Sequence, residues 1–589
     1  MFSEHETDDE MDIRWWRLPV INRPQWSAKG SHLRLGEWWR HAVIYQIFPQ
    51  SFQDTSGNGV GDLTGIVRRL DYIRSLGVEA IWLNPIFPST HEDAGYDVLK
   101  HTDVDPMFGD LEDFKRLLAV AHDLGMKVII DQVWNHTSSA HPWFVESRSN
   151  RHNAKADWYV WADPNPNGGP PNNWISAFSG RSAWCWDDSR EQYYLANFMP
   201  SQPDLNWHNE AVINAQLHKA RTWLEMGVDG FRIDAVNFFV HDPALRDNPP
   251  RQPRHGEPDG IDMGNPMASQ LFTNSFCRDE TLAKLPRIRA LMHEFPNTVT
   301  LGEVTLCEDS IELSGRYVTG DDRLHLVYNS ALLQEAPLTA DMLRQIMEKT
   351  LAAFPDGGQC WMVGNHDYQR LSSRWTGADA NGEPYPPSFY HMVAALLVAL
   401  PGALCLFQGD ELGLPLAEIP EDIPPDAMQD PYGRNLYPKV PGRDGSRTPM
   451  PWARDQVNLG FSAAEKLWLP IPKRHHRYTV EEQNGTPQSL LNTWRRMLQW
   501  RAAQPALVAG EYEPLAGNQA LFVFQRRYAE QRLICIFNIS PREQTYSVEH
   551  PTGPHRVGWL SVNQEAPERL PERICMVPWG AVFISVIEA

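Results

Sequence analysis

The 589-residue chain has no apolar run long enough to cross a bilayer. Its longest, Met392 to Phe407, is broken at Pro401-Gly402 and falls short of the ~20 residues a helical span needs; it reads as a buried helix running into a buried strand. Cysteine is sparse. Cys185, Cys277, Cys307, Cys360, Cys405, Cys535 and Cys575 are scattered and odd in number, with no C-x-x-C pair, which excludes the paired-cysteine zinc and redox motifs and reads as free buried thiols. Positive charge is short as well: 53 basic against 74 acidic side chains leave a net charge of -21. Such a field repels phosphate backbones and anionic headgroups, so neither nucleic acid nor a membrane is an expected partner. The opening MFSEHETDDE lacks the basic and apolar regions of a secretory signal, and the chain is expected to be cytoplasmic. No internal repeat is visible.

With 42% hydrophobic and 22% charged residues, the composition is that of a folded globular protein. Aromatics are plentiful, at 23 Trp, 17 Tyr and 23 Phe; such rings pack cores and also suit the apolar C–H faces of sugars. After a polar leader, short apolar runs alternate with amphipathic stretches such as Leu63–Ser75 and Leu111–Leu124, the pattern of parallel βα units. Eight strands are expected: His41–Phe48, Ala80–Ile86, Lys127–Asn135, Gly230–Val236, Thr298–Val304, Arg323–Asn329, Gln359–Gly364 and Ala403–Gln408, with Gln488–Ala503 as the last helix. Eight parallel strands predict an α/β fold, a closed (β/α)8 TIM barrel.

Two connections exceed ordinary barrel loops. The domain organisation expected is an N-terminal extension over 1–36, a first barrel part over 37–136, an inserted B domain over 137–202 that is rich in Trp, Asn, Pro and Gly, and a second barrel part over 203–505. The last carries long loops at 241–297, beginning with a Pro-rich segment from Asp247 to Pro266, and at 415–452. Alternating runs beyond residue 505 predict a C-terminal antiparallel β-sandwich over 506–589.

Barrel enzymes hold their reactive groups at the C-terminal strand ends. There the sequence places Asp131-Gln-Val-Trp-Asn-His136, Gly230-Phe-Arg-Ile-Asp234, Leu301-Gly-Glu303-Val and Val363-Gly-Asn-His366-Asp367. In a strand, side chains two apart share a face, so Arg232 and Asp234 point together. Several carboxylates without a metal-ligand cluster suit glycoside hydrolysis, in which one attacks the anomeric carbon and another, protonated, serves the leaving oxygen. Arg232 should favour the ionised form of Asp234, whereas Glu303 sits in an apolar strand with no basic neighbour in sequence, which is consistent with a raised pKa.

These residues carry a resemblance. The segments AVIYQIFPQSF, GDLTGI, IWLNPIFPS, GYDV, DQVWNH, QPDLN, GFRIDAVNF, LGEV, VGNHD and GRDGSRTPMPW, in order over nearly the whole chain, resemble the α-amylase family of glycoside hydrolases in its α-glucosidase and oligo-1,6-glucosidase branch. The resemblance implies a barrel with a B domain after strand three and a C-terminal β-sandwich. It also implies Asp234 as nucleophile, Glu303 as general acid/base and Asp367 as the third carboxylate, with net retention. His136, Arg232 and His366 match hydroxyl- and carboxylate-orienting positions, Tyr96 the ring under the nonreducing glucose, and Asp93 with Arg447 the pair closing the pocket, which implies exo-action. Phe178 and Phe198 match pocket-wall aromatics, B-domain core being the other reading.

No cofactor is implied for catalysis. The loop Asp54 to Asp62 resembles the branch's divalent-cation loop, with Asp54, Ser56, Asn58, Val60 and Asp62 as candidate ligands for structural Ca2+ or Mg2+, but Ser56 and Asn58 replace the usual Asn and Asp, and an empty Gly-rich turn is the rival reading. Leu99-Lys100-His101 also departs from the usual Ser-Asp-Tyr. Ala235, after the nucleophile position, suggests α-1,4 linkages, where Val would suggest α-1,6. The expected partners are small α-glucosides, and the expected assembly is a monomer or homodimer. The expectation is thus a retaining exo-α-glucosidase with possible transglucosylation. An oligo-1,6-glucosidase or a sucrose hydrolase/α-glucosyltransferase is the alternative; no arginine-rich isomerisation loop is present. A noncatalytic transporter-associated barrel would lack the acids and carry a membrane helix.

Overall fold

The computed structural model describes residues 37–252, 255, 258–375, 385–548, 555–565 and 571–588. The extension expected over 1–36 lies outside these residues, as does part of the Pro-rich segment between Asp247 and Pro266.

Eight strands form a closed parallel barrel: β1 (Val43–Ile47), β2 (Ala80–Leu83), β3 (Lys127–Gln132), β4 (Gly230–Ile233), β5 (Val299–Gly302), β6 (Leu326–Asn329), β7 (Gln359–Met362) and β8 (Ala403–Phe407). Each pairs with the next in sequence, and β8 returns to β1 with Leu404 opposite Val43. The helices that follow them are α1 (Leu63–Leu76), α2 (Leu111–Asp123), α3 (Glu210–Met226), α4 (Leu285–His293), α5 (Ser310–Val318), α6 (Ala340–Ala353), α7 (Pro387–Ala399) and α8 (Leu490–Ala502). The expected barrel is therefore observed, and the three helices read from sequence begin and end within two residues of their expected bounds.

Local sequence explains the helix ends. Asp62 caps α1 by accepting from the Gly65 amide, while Gly77 at φ 92° ends the helix in a left-handed conformation that suits glycine. Between them Leu63, Ile66, Leu70 and Ile73 recur at helical spacing and are buried. Helix α7 is apolar on nearly every side, because it is covered by the barrel and by the C-terminal sheet.

Every barrel strand is shorter than the apolar run that predicts it. The run expected to Asn135 stops at Gln132, that to Ile86 at Leu83, and that to Val304 at Gly302. Burial continues where ladder pairing ends: Ile86, Val133, Trp134 and Val304 are buried beyond the barrel rim. Apolar character alone could not mark the boundary. Inside the barrel, Ile44, Ala80, Trp82, Ile129, Leu301, Tyr328, Cys360, Met362 and Cys405 fill the space beneath that rim.

Between β3 and α3 lie a helix, Pro142–Ser149, and a three-stranded antiparallel sheet with Gln192–Leu195 between Trp161–Ala162 and Trp184–Asp187. After α8, five antiparallel strands run in the order Glu511–Pro514, Leu521–Tyr528, Gln531–Asn538, Ala581–Glu588, His555–Val562, beside the pair Gln544–Ser547 and Arg573–Met576. This sheet meets the barrel through aromatic contacts, Phe583 on Trp500 at 4.7 Å and Trp579 on Phe389 at 5.1 Å. Arg526 Nη1 donates to the Ala399 carbonyl at 2.9 Å at the end of α7, a basic group placed where helix carbonyls lack partners. Among the described residues, no helix is long and apolar enough to cross a membrane.

Candidate active site

At the C-terminal rim one guanidinium gathers three carboxylates. Arg232 lies on β4, fully buried, its cation over the rings of Trp82 at 5.3 Å and Tyr328 at 5.7 Å. Its Nη1 donates to Asp131 Oδ1 at 2.7 Å and to Asp234 Oδ1 at 2.6 Å, and its Nε to the Tyr328 hydroxyl at 2.9 Å. Nη2 stands 2.7 Å from Glu303 Oε2, yet the contact is out of line for a hydrogen bond, so the attraction is Coulombic. Glu303 is positioned instead by the Ala235 amide, which donates to Oε2 at 2.9 Å. Ala235 holds φ at 43°, the left-handed region, so the residue after Asp234 bends back over the barrel mouth.

Burial decides the protonation here. It raises Asp234 to about 7 and Glu303 to about 8, with Arg232 opposing both shifts, and it raises Asp131 to about 6, again against Arg232. Arg232 favours the ionised form of Asp234, as expected, but a single buried cation shared among carboxylates does not offset their desolvation. The order, Asp234 more acidic than Glu303, is as read. Asp367 behaves differently. Burial would raise it, but His366, Arg443, Arg447 and Arg232 outweigh burial and hold it well below the usual range.

His366 is buried and stacked on Tyr96, ring centroids 5.5 Å apart at 4°. If the Gln46 amide donates to Nδ1 at 2.8 Å, Nε2 carries the proton and faces the Tyr96 hydroxyl at 2.7 Å and Asp367 Oδ2 at 3.2 Å. Burial holds His366 and His136 below the ordinary histidine value, His136 at about 4, so both are neutral hydrogen-bonding groups at neutral pH. Phe198 packs on His136 and on Phe178. The two phenylalanines line the pocket and also belong to an apolar cluster with Phe238, Met267 and Ile261, so wall and core are here the same residues.

Together these side chains enclose a pocket of about 810 Å³, open mouth included, lined by Asp93, Tyr96, His136, Phe178, Phe198, Asp234, Ala235, Glu303, His366 and Asp367. The ion pair expected between Asp93 and Arg447 is replaced. Arg443 Nη2 reaches Asp93 at 2.8 Å and Asp430 at 2.7 Å, its Nη1 reaches Asp367 at 2.9 Å, and its plane lies over Phe178 at 4.5 Å. Arg447 turns to Asp367 at 3.1 Å and to the His366 carbonyl at 2.8 Å. Both arginines stand in the same GRDGSR segment, and the guanidinium that bridges three acids and a ring takes the position at Asp93.

Sequence reasoning also passed over Asp131, Asn84, Gln202, Tyr328, Tyr368 and Tyr432. Asp131 had a readable signal, since it lies directly opposite Arg232 in the β3–β4 register. Asn84, which donates to the Tyr96 hydroxyl at 2.7 Å, and Gln202, which donates to Asp93 at 3.0 Å, had none beyond their place near strand or segment ends.

The proposed cation loop does not fit a divalent ion. Asp54 accepts from the amides of Ser56, Gly57 and Gly59 at 2.8–2.9 Å and from the Ser462 hydroxyl. Asp62 accepts from Thr55 and, as cap of α1, from Gly65, and Asn58 accepts from the Val60 amide at 2.8 Å. The side-chain oxygens of Asp54, Asn58 and Asp62 thus face N–H and O–H donors. Among the described residues no cluster of three or more acidic, His or Cys side chains suits a metal ion. With Ser56 in place of a further amide or acid, the loop closes on its own backbone.

The alpha amylase catalytic-domain family model matches residues 46–510. A probable alpha-glucosidase of Rhizobium meliloti (strain 1021) is 45% identical over 548 residues, 93% of this chain and 97% of that protein. An oligo-1,6-glucosidase of Heyndrickxia coagulans is 33% identical over 557 residues, 87% of this chain and 94% of its own. Of solved structures, the alpha-glucosyl transfer enzyme XgtA shares 43% identity at a TM-score of 0.86, over 93% of this chain and 99% of that one. With its barrel, its rim of carboxylates and this likeness along nearly its full length, the chain belongs to the alpha-amylase family of glycoside hydrolases.

Proposed function

We propose that the protein is a retaining, exo-acting α-glucosidase that removes glucose from the nonreducing end of disaccharides and short oligosaccharides, α-1,4 linkages favoured. The observation that carries the reading is the placement of Asp234 and Glu303 on one guanidinium, with pKa values of about 7 and about 8. Two carboxyl groups held by one planar fork suit the short separation of a retaining pair, ~5–5.5 Å, better than the ~6.5–9.5 Å of an inverting pair.

In this mechanism the Asp234 carboxylate attacks the anomeric carbon while Glu303 gives its proton to the departing oxygen, leaving a β-glucosyl ester on Asp234. Glu303, now a carboxylate, takes a proton from water, and attack on the ester releases α-glucose. Asp367 stays ionised beside His366 and the two arginines, where it can accept from sugar hydroxyls. The Asp93–Arg443 pair blocks one end of the pocket, which favours single-glucose release. A second sugar or alcohol reaching the ester before water gives transfer instead, and the 43% identity to an alpha-glucosyl transfer enzyme supports that second outcome.

The test is incubation with maltose, isomaltose, sucrose and trehalose, following glucose and new oligosaccharides. Turnover of maltose above isomaltose is expected; inertness on all four would refute the glucosidase reading. Asp234→Asn should abolish turnover while leaving the melting temperature within a few degrees of wild type, and retained activity would remove Asp234 from the nucleophile role.

A further inference from the structure

Two cysteines that the catalytic mechanism does not use meet behind the pocket wall. Cys277 ends the first stretch of the connection between β4 and α4 and is half-buried; Cys307 follows Glu303 in the loop after β5 and is buried. The two thiols line one surface cleft, with Glu312 and Arg316, and are near enough for each to influence the other. Access from solvent and a neighbouring thiol are thus present together.

The pair stands where the loops after the two catalytic carboxylates join. Asn237, just past Asp234, donates from Nδ2 to Cys277 Sγ at 3.2 Å and to the Thr305 carbonyl at 2.7 Å, and its own carbonyl accepts from the Cys277 amide at 2.8 Å. The Cys307 carbonyl accepts from the Asp259 amide at 2.9 Å, and the next residues, Gly260 and Ile261, line the pocket beside Thr305 and Leu306. Backbone strain collects here as well. Ala235, Cys277 and Leu306 all hold positive φ, at 43°, 57° and 56°, a conformation that residues with a Cβ adopt at a cost and that clusters at switching segments.

We infer that Cys277 and Cys307 form a reversible disulfide under oxidation by peroxide, stapling the two loops and so controlling the pocket wall between Ile261 and Leu306. Cys277, the accessible thiol, loses its proton and attacks one peroxide oxygen; the O–O bond breaks and water departs, leaving a sulfenic acid. The Cys307 sulfur, giving up its proton, then attacks the Cys277 sulfur, the S–O bond breaks and a second water leaves. Two thiols and one peroxide give one disulfide and two waters, with two electrons passed to the peroxide. Reduction by a dithiol reverses it.

The effect on turnover rests on the glucosidase reading; the disulfide does not, so the test keeps the two apart. The full-length protein is treated with hydrogen peroxide and digested without reduction, with and without later dithiothreitol, and kcat/KM on maltose is measured in parallel. A Cys277–Cys307 linked peptide that disappears on reduction is expected, together with a reversible fall in kcat/KM of about threefold or more, as for other constraints on mobile active-site loops. Cys277→Ser, and separately Cys307→Ser, should keep the untreated activity and lose the peroxide response. Oxidation confined to the exposed Cys575, or a linked peptide with kcat/KM unchanged, overturns the inference, as does a response that persists in both variants. If the untreated protein is inert on every glucoside, the functional reading has failed, and the linked peptide with a shifted melting temperature, absent from both variants, decides the disulfide alone.

Discussion

Arg232 carries one positive charge and faces Asp131, Asp234 and Glu303 at contact distance, with Asp367 within its field. Desolvation therefore wins over pairing at two of the three acids that the mechanism uses, and the site titrates near neutrality. The sign of each limb follows from role. In the proposed mechanism Asp234 acts ionised, so kcat/KM should rise as pH climbs through about 7; Glu303 acts protonated, so it should fall as pH passes about 8. A bell with its maximum between those values is expected, the limbs belonging to the pair because the two acids interact. In Glu303→Gln, assayed on an activated aryl α-glucoside whose leaving group needs little acid help, the alkaline limb should vanish; its persistence would assign that limb elsewhere.

Arg443 offers a second test at this scale. It joins Asp93, Asp367 and Asp430, so Arg443→Ala leaves two pocket carboxylates without their closest cation. Losing hydrogen bonds between charged groups should raise KM for maltose about tenfold or more. Arg447→Ala, which spares Asp93, should raise it less; the opposite order would restore Arg447 to the end of the pocket.

Among elements, α3 holds a group unlike its neighbours. Lys219 points between His101 Nδ1 at 3.2 Å and His141 Nε2 at 3.5 Å, over the Trp143 ring at 3.4 Å. Burial lowers it to about 7, while an unfolded lysine titrates at ~10.4. Between those values the unfolded chain binds more protons, so this group's share of stability is lowest below pH 7 and grows as pH rises. Lys219→Met should accordingly raise the melting temperature most at pH 6, with the advantage shrinking toward pH 9. A uniform loss across that range would mean that the charged form is held by Trp143. Of the departure at Leu99-Lys100-His101, His101 joins this cluster, while Lys100 pairs with Asp103 at 2.8 Å.

Element existence was legible because the period of apolar residues and the caps are local: Asp62, Leu63 and Gly77 bound α1 without reference to the rest of the chain. Strand ends were not legible, since Val133 and Trp134 are as buried beyond the ladder as within it. The site divides along the same line. Asp234 beside Arg232 is a property of one strand and was readable, whereas Arg443 on Asp93 joins a loop after β8 to one after β2, a contact that no local pattern encodes. The cation loop shows the converse: its spacing resembles a ligand set, while the donors that its carboxylates accept from are set by how the loop folds.

For the molecule as a whole, the barrel fixes the carboxylates on rigid strand ends, while the segments between β3 and α3, between β4 and α4, and after β8 supply Phe178 and Phe198, Ile261 and Met267, and Arg443 to the pocket. Scaffold and specificity are thereby separated, chemistry on the strands and shape on the long connections. Under the proposed function, that arrangement has one chemical consequence above the others, a glucosyl ester on Asp234 and two inversions at the anomeric carbon. Proton NMR of a freshly mixed reaction with an aryl α-glucoside tests it directly, by the anomer released before mutarotation. α-Glucose is expected first, relaxing later to the equilibrium mixture; β-glucose as the first product would refute retention.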